Sequence, residues 1–84
     1  MITSDQVGLA VAADAPRIAE LSRMAIEHGL PWRWTPPRVL ACIRNRYTNV
    51  IVAREGDAIV GFAIMKYLEH EAHVLLLAVR PAGE

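Results

Sequence analysis

The chain has a single cysteine, Cys42, so it cannot close an internal disulfide, and no second Cys stands at metal-ligand spacing from it. Cys42 therefore reads as a small buried hydrophobe on a helix, which suits a reducing compartment, and no metal site is expected. An excess of one charge is also missing. Nine basic and nine acidic side chains cancel, which removes the bias that nucleic-acid binding draws on. No apolar run approaches the roughly 18–20 residues that cross a bilayer. Val7–Ala13 is too short for a signal peptide, and Asp5 precedes it rather than Lys or Arg. A soluble, cytoplasmic chain with neither a membrane nor a nucleic-acid partner is the expectation. There is no internal repeat, low-complexity tract or linker, and 84 residues hold one domain at most.

Apolar side chains, by contrast, are plentiful. They make up 54% of the chain, above the roughly 45–50% usual for soluble domains by a count that also includes Gly. The excess concentrates in Ala72-His-Val-Leu-Leu-Leu-Ala-Val-Arg-Pro81, where seven of the first eight residues are apolar. A run this short that ends at Pro reads as a strand, and a strand apolar on both sides needs cover on both sides. Three residues follow Pro81 in the sequence. The expectation is therefore one partial domain, 1–84, with a covering layer supplied from elsewhere. One local charge bias exists: five arginines (33, 38, 44, 46, 54) and no acid between Arg33 and Arg54. They form either a solvated helix face with two loop arginines or a patch for an anionic partner.

Taken in order, Val7, Leu9 and Val11 alternate as in a half-buried first strand. Asp14 can cap a helix that tolerates Pro16 in its first turn. Ile18, Leu21, Ala25 and Ile26 form its apolar stripe, with Arg17, Glu20, Arg23 and Glu27 on the other side. Gly29 should end it, leaving His28 in the last turn at the negative end of the helix dipole. Thr35 is the N-cap of a second helix that opens with Pro36 and Pro37 and runs to about Arg46 on Val39, Leu40, Ile43 and Tyr47. Trp34 before the cap and Val39 inside would make a hydrophobic staple. Alternatively, Trp32 and Trp34, with Arg33, line a substrate groove, since loops on rigid scaffolds carry binding surfaces. Asn49–Arg54 is a β-branched strand, Glu55-Gly56-Asp57 a turn, and Ala58 to about Leu68 the returning strand. Gly61 inside that strand marks a bulge or a close backbone approach. Glu69-His70-Glu71 is a solvated turn, and Ala72–Val79 closes a meander. The order is β-α-α-β-β-β.

That order, with these segments, resembles the amino-terminal half of the GCN5-related N-acetyltransferase (GNAT) fold, an α/β architecture with a mixed sheet. The likeness rests on Ala13–Leu21 (first-helix opening), Val52–Ala63 (second and third strands) and Leu77-Ala-Val-Arg-Pro81 (end of the fourth strand). Leu30-Pro-Trp32 is also similar to the first loop of the branch that acetylates the amino terminus of ribosomal proteins. The resemblance implies transfer of acetyl from acetyl-CoA to a primary amine. It assigns main-chain groups of Leu77, Ala78 and Val79 to the pantetheine arm, as a strand edge can pair with an extended ligand. His73 falls where some members place a Glu that serves as general base. On strand alternation it shares a face with Leu75, Leu77 and Val79, and it is either that base or a satisfied structural histidine.

The family's pyrophosphate loop, roughly Arg/Gln-x-x-Gly-x-Gly/Ala after the fourth strand, cradles phosphate on backbone N–H groups. Here Arg80-Pro-Ala-Gly-Glu84 stops before it, and Glu84 would repel phosphate. The expectation is an acetyltransferase fragment, inactive alone, with weak or no acetyl-CoA binding. The alternative is a non-catalytic α/β module that dimerises through its exposed last strand, or that pairs with a missing carboxy-terminal half.

Overall fold

The computed structural model describes residues 6–80. It holds β1 (Val7–Leu9), a 3-10 turn (Ala12–Asp14), α1 (Ala15–Ala25), α2 (Pro36–Arg44), β2 (Thr48–Glu55), β3 (Ala58–Tyr67) and β4 (Ala72–Val79). The domain is thus a mixture of two helices and one four-stranded sheet. The sheet order is β1-β2-β3-β4 and each neighbouring pair is antiparallel, so the sheet itself is not mixed. Gly56 takes φ +62° in the β2–β3 turn, a conformation that costs a residue without Cβ nothing.

Both helices pack on one face. Ile18, Ala19 and Leu21 of α1 and Val39 of α2 meet Val50, Val52, Ile59, Phe62, Ile64 and Ala78 of the sheet in a single apolar cluster. Ile18, Val39 and Ile64 lose all their solvent exposure. Burial on that scale is worth about 1.5–3 kcal/mol for each large aliphatic side chain. Side chains alternate along a strand, so the partners Leu9 and Ile51, Ala63 and Leu77, and Gly61 and Val79 share the opposite face. There Leu9 stays 67% exposed, and Leu77 and Val79 each 63%. The expected half-buried first strand is therefore a strand, but its apolar side chains point to the open face. Likewise β4, read as apolar on both sides, is covered on one: only Ala78 is buried and Leu76 half-buried.

Two bulges bend the sheet. Between β2 and β3 the pairing steps from Ala53–Gly61 to Arg54–Ile59, leaving Val60 as an extra residue. At Gly61 a Cβ would stand 3.2 Å from the Ala78 carbonyl oxygen, so the glycine there serves both a bulge and a close approach. Between β3 and β4 the pairing steps from Ile64–Leu76 to Met65–Val74, leaving Leu75 extra.

The helix boundaries differ from the sequence expectation for local reasons. Ser22 carbonyl receives both the Ile26 and the Glu27 N–H at 2.9 Å, and Leu30 N–H turns back onto the Glu27 carbonyl. So α1 stops at Ala25, His28 lies beyond its last turn, and Ala25 and Ile26 of the expected stripe are exposed. At the end of α2, Asn45 Oδ1 accepts the Tyr47 N–H at 2.7 Å. This Asx turn competes with further helix. The helix accordingly closes at Arg44, with Tyr47 exposed.

Candidate functional site

The first distinctive feature is a buried carboxylate. Glu27, placed on the polar side of α1 by its spacing, lies beyond the helix and is 7% exposed. Its Oε1 accepts the Arg33 N–H at 2.7 Å, and its Oε2 accepts the Ser22 hydroxyl at 3.0 Å. The Trp34 N–H reaches both oxygens at 3.3 Å. Burial pushes this carboxyl up. The Arg33 N–H, the Ser22 hydroxyl and the Trp34 N–H together outweigh it and hold the pKa below its ordinary value. Glu27 thus clasps the backbone of the loop that carries Trp32, Arg33 and Trp34.

In that loop both indoles are half-buried against the core, and each carries a guanidinium on its ring: Arg23 on Trp32 at 5.0 Å and Arg38 on Trp34 at 4.1 Å. Trp34 packs against the cluster in which Val39 is fully buried. Trp32 Nε1 is buried and has no hydrogen-bond partner among the described residues. Arg33 is exposed.

The second feature ties the start of α1 to the sheet. Arg54 on β2 forks onto Asp14, Nη1 to Oδ1 at 3.0 Å and Nη2 to Oδ2 at 2.5 Å. Asp14 Oδ2 also accepts the Val11 N–H at 2.9 Å. The expected cap of α1 is therefore corrected. Asp14 sits at the N-cap position, but Arg54 holds its carboxylate turned back over the 3-10 turn. That hydrogen bond is the main reason its pKa lies below the usual aspartate value. Three of the five arginines of the Arg33–Arg54 group have local tasks: Arg38 on Trp34, Arg46 on the Tyr47 ring and Arg54 on Asp14. Cys42 is half-buried, which raises its thiol pKa. Among the described residues no group of three or more His, Cys, Asp or Glu could hold a metal ion, and no helix is long and apolar enough to cross a membrane.

The third feature is the β4 edge. Arg80 N–H bonds the Val60 carbonyl at 2.7 Å, and Leu68 N–H bonds the Glu71 carbonyl at 2.7 Å. Antiparallel partners alternate between bonded and non-bonded pairs. Counting inward from those two bonds, Ala78, Leu76 and His73 direct their peptide groups at β3. Ala72, Val74, Leu77 and Val79 direct theirs outward. Of the three residues carried over for the pantetheine arm, Leu77 and Val79 thus offer outward groups and Ala78 does not.

Beside this edge, α1 and the ends of β3 and β4 enclose an open groove of about 1080 Å³. Leu21, Met24 and Ile59 give it apolar walls, Val79 borders it at the end of β4, and Arg17, Glu20, Asp57 and Arg80 give it a charged rim. Arg17 closes one end by donating from Nη1 to the Asp57 carbonyl at 2.7 Å. The structure brings Val79 to this groove but not the tryptophans or His73. His73 lies six residues up the strand, about 20 Å at the usual rise. Its side chain is 51% exposed, with Nε2 3.3 Å from Glu71 Oε1. The bulge at Leu75 also shifts its face. His73 pairs with Lys66 on the helix side rather than sharing the side of Leu77 and Val79. Glu69 and His70 are nearly fully exposed in the turn.

Glu27 and Arg54 are the site-shaping residues that the sequence reading missed. The only available signal for Glu27 was a carboxylate five residues after Ser22, just before a Gly and a Trp-Arg-Trp loop. Compared with protein-family models and with curated proteins, the chain matches none of them.

Proposed function

We propose that this chain carries the amino-terminal part of a GNAT-like N-acetyltransferase domain that works in the cytoplasm. In this reading Leu77 and Val79 hold the pantetheine arm of acetyl-CoA through their outward peptide groups. The loop with Trp32, Arg33 and Trp34, clasped by Glu27, borders the acceptor amine. The chemistry is direct acyl transfer. A base takes a proton from the ammonium, the free amine attacks the thioester carbonyl, and the C–S bond breaks to release CoA. The base role falls to His73 through the resemblance alone, with Glu71 beside it to orient the imidazole.

The observation that carries the reading is the row of outward peptide groups on an unpaired strand edge next to an apolar groove. The exposed second face of the sheet supports a protein that needs a further layer before it turns over substrate. The test is an amide NMR titration with acetyl-CoA up to millimolar concentration. Shifts confined to Leu77, Val79 and their neighbours, with a Kd weaker than about 100 μM (about −5.5 kcal/mol), are expected. No response on β4 would refute the cofactor assignment, and tighter binding would refute the need for another layer. A second reading, a non-catalytic module joined through β4, is favoured by the same edge's lack of charge or proline between Val74 and Val79.

A further inference from the structure

We infer that β4 pairs with β4 of a second copy in one defined register, Glu71 opposite Arg80, which makes a closed two-fold dimer with an eight-stranded sheet. The inference deepens the non-catalytic reading and does not require acetyl-CoA to bind. It follows from three constraints that single out the same alignment.

The first is hydrogen bonding. The outward peptide groups belong to Ala72, Val74, Leu77 and Val79. In an antiparallel pair about a two-fold axis, residues on the two strands sum to a constant. Placing Glu71 against Arg80 sets Ala72 against Val79 and Val74 against Leu77. Every outward group then meets another outward group. Shifting the alignment by one residue sets Leu77 against His73 or Leu75 and leaves the rows out of step.

The second constraint is the face. Val74 partners Met65, Leu77 partners Ala63, Val79 partners Gly61 and Ala72 partners Tyr67, all on the side away from the helices. The chosen alignment therefore stacks Val74 on Leu77 and Ala72 on Val79 across the seam. These side chains include three that are more than half exposed in one copy: Val74, Leu77 and Val79. Each copy contributes the same residues, as an isologous contact requires.

The third is charge. Between Ala72 and Val79 the strand carries no formal charge other than a protonated His73 would bring, so nothing along the seam repels a copy of itself. At each end the acid Glu71 faces the base Arg80 of the other copy, twice per dimer. Pairing consumes the β4 edge of both copies. Among the described residues only the three-residue β1 is left at each outer rim, so the assembly closes at two. Because the seam uses the outward groups of Leu77 and Val79, a ligand on those groups and a second copy exclude one another.

Light scattering and sedimentation of the full chain test this, with circular dichroism as a fold control. A dimer that dissociates on dilution is expected. Leu77→Pro removes an N–H that β3 does not use and should yield a folded monomer. Glu71→Arg should raise the dissociation constant roughly tenfold by setting like charges together, and Glu71→Arg with Arg80→Glu should restore it. A monomer at all concentrations to about 1 mM, a scale at which only very weak association escapes detection, would overturn both the dimer and the module reading. A dimer indifferent to the charge exchange and to Leu77→Pro would overturn the register while leaving association in place. Open-ended polymers would refute the closure.

Discussion

Replacing Glu27 tests whether one carboxylate organises the tryptophan loop. In Glu27→Ala the Arg33 N–H loses a 2.7 Å bond to a charged acceptor and the Trp34 N–H loses two longer ones. The Ser22 hydroxyl, fully buried, loses its acceptor as well, but a hydroxyl can rotate to a helix carbonyl. One short bond to an ionised group is worth about 1.5–3 kcal/mol, and the shared 3.3 Å contacts add little, so a loss of about 2–3 kcal/mol is expected. A domain of this length has about 4–13 kcal/mol in all, so the change is large and lowers Tm by about 10–20 °C. Glu27→Gln, which keeps one acceptor oxygen for Arg33, should lose roughly half as much. Urea unfolding followed by circular dichroism measures the difference. Acid adds a second readout. The folded pKa of Glu27 lies below its ordinary value of 4.5. Its contribution is therefore present above that value and lost as pH falls through the folded pKa, and Glu27→Gln should flatten that part of the profile. A Glu27→Ala variant within about 0.5 kcal/mol of the parent, the range of an indifferent surface change, would refute the clasp.

Other substitutions probe the rest of the frame. Asp14→Asn should cost about 1 kcal/mol near neutral pH, because Arg54 is about a third exposed and its pairing is partly screened. The loss should vanish below the ordinary aspartate range, since the folded pKa is depressed; denaturant midpoints at several pH values decide it. Ile64→Ala removes a fully buried side chain at the centre of the core and should cost about 2–5 kcal/mol in urea unfolding. Leu77→Lys, on the open face, should leave the unfolding midpoint within about 0.5 kcal/mol while abolishing association in sedimentation. Cys42 should react slowly with a disulfide reagent at neutral pH, as burial raises its thiol; modification at the rate of a free thiol would refute its placement.

The strands were legible because their chemistry is local. The β-branched Asn-Val-Ile-Val, the Gly56 turn and the apolar Ala72–Val79 each announce themselves in a few residues, and β4 has the expected bounds. The Gly61 bulge was readable for the same reason: a missing Cβ leaves a mark in the sequence. The Leu75 bulge leaves none, since Val-Leu-Leu-Leu has no residue that punctuates. That one unseen extra residue turned His73 to the other face. Glu27 was hidden by a different cause. Helical spacing assigned it to solvent, whereas its burial depends on where α1 stops and on backbone groups six and seven residues further on. Nor could spacing show that only one face of the sheet is covered, because an apolar strand reads the same whether its second face is met or bare.

The place of β1 in the sheet has a consequence for how the fold assembles. β2, β3 and β4 are joined by tight turns and can zip as consecutive hairpins, whereas Val7 must find Ala53 across both helices. That closure costs entropy and rewards it with only three residues whose side chains stay exposed. The first strand should therefore dock last and fray first, so that its amide protons exchange well before those of Val52 and Phe62 in the middle of the sheet.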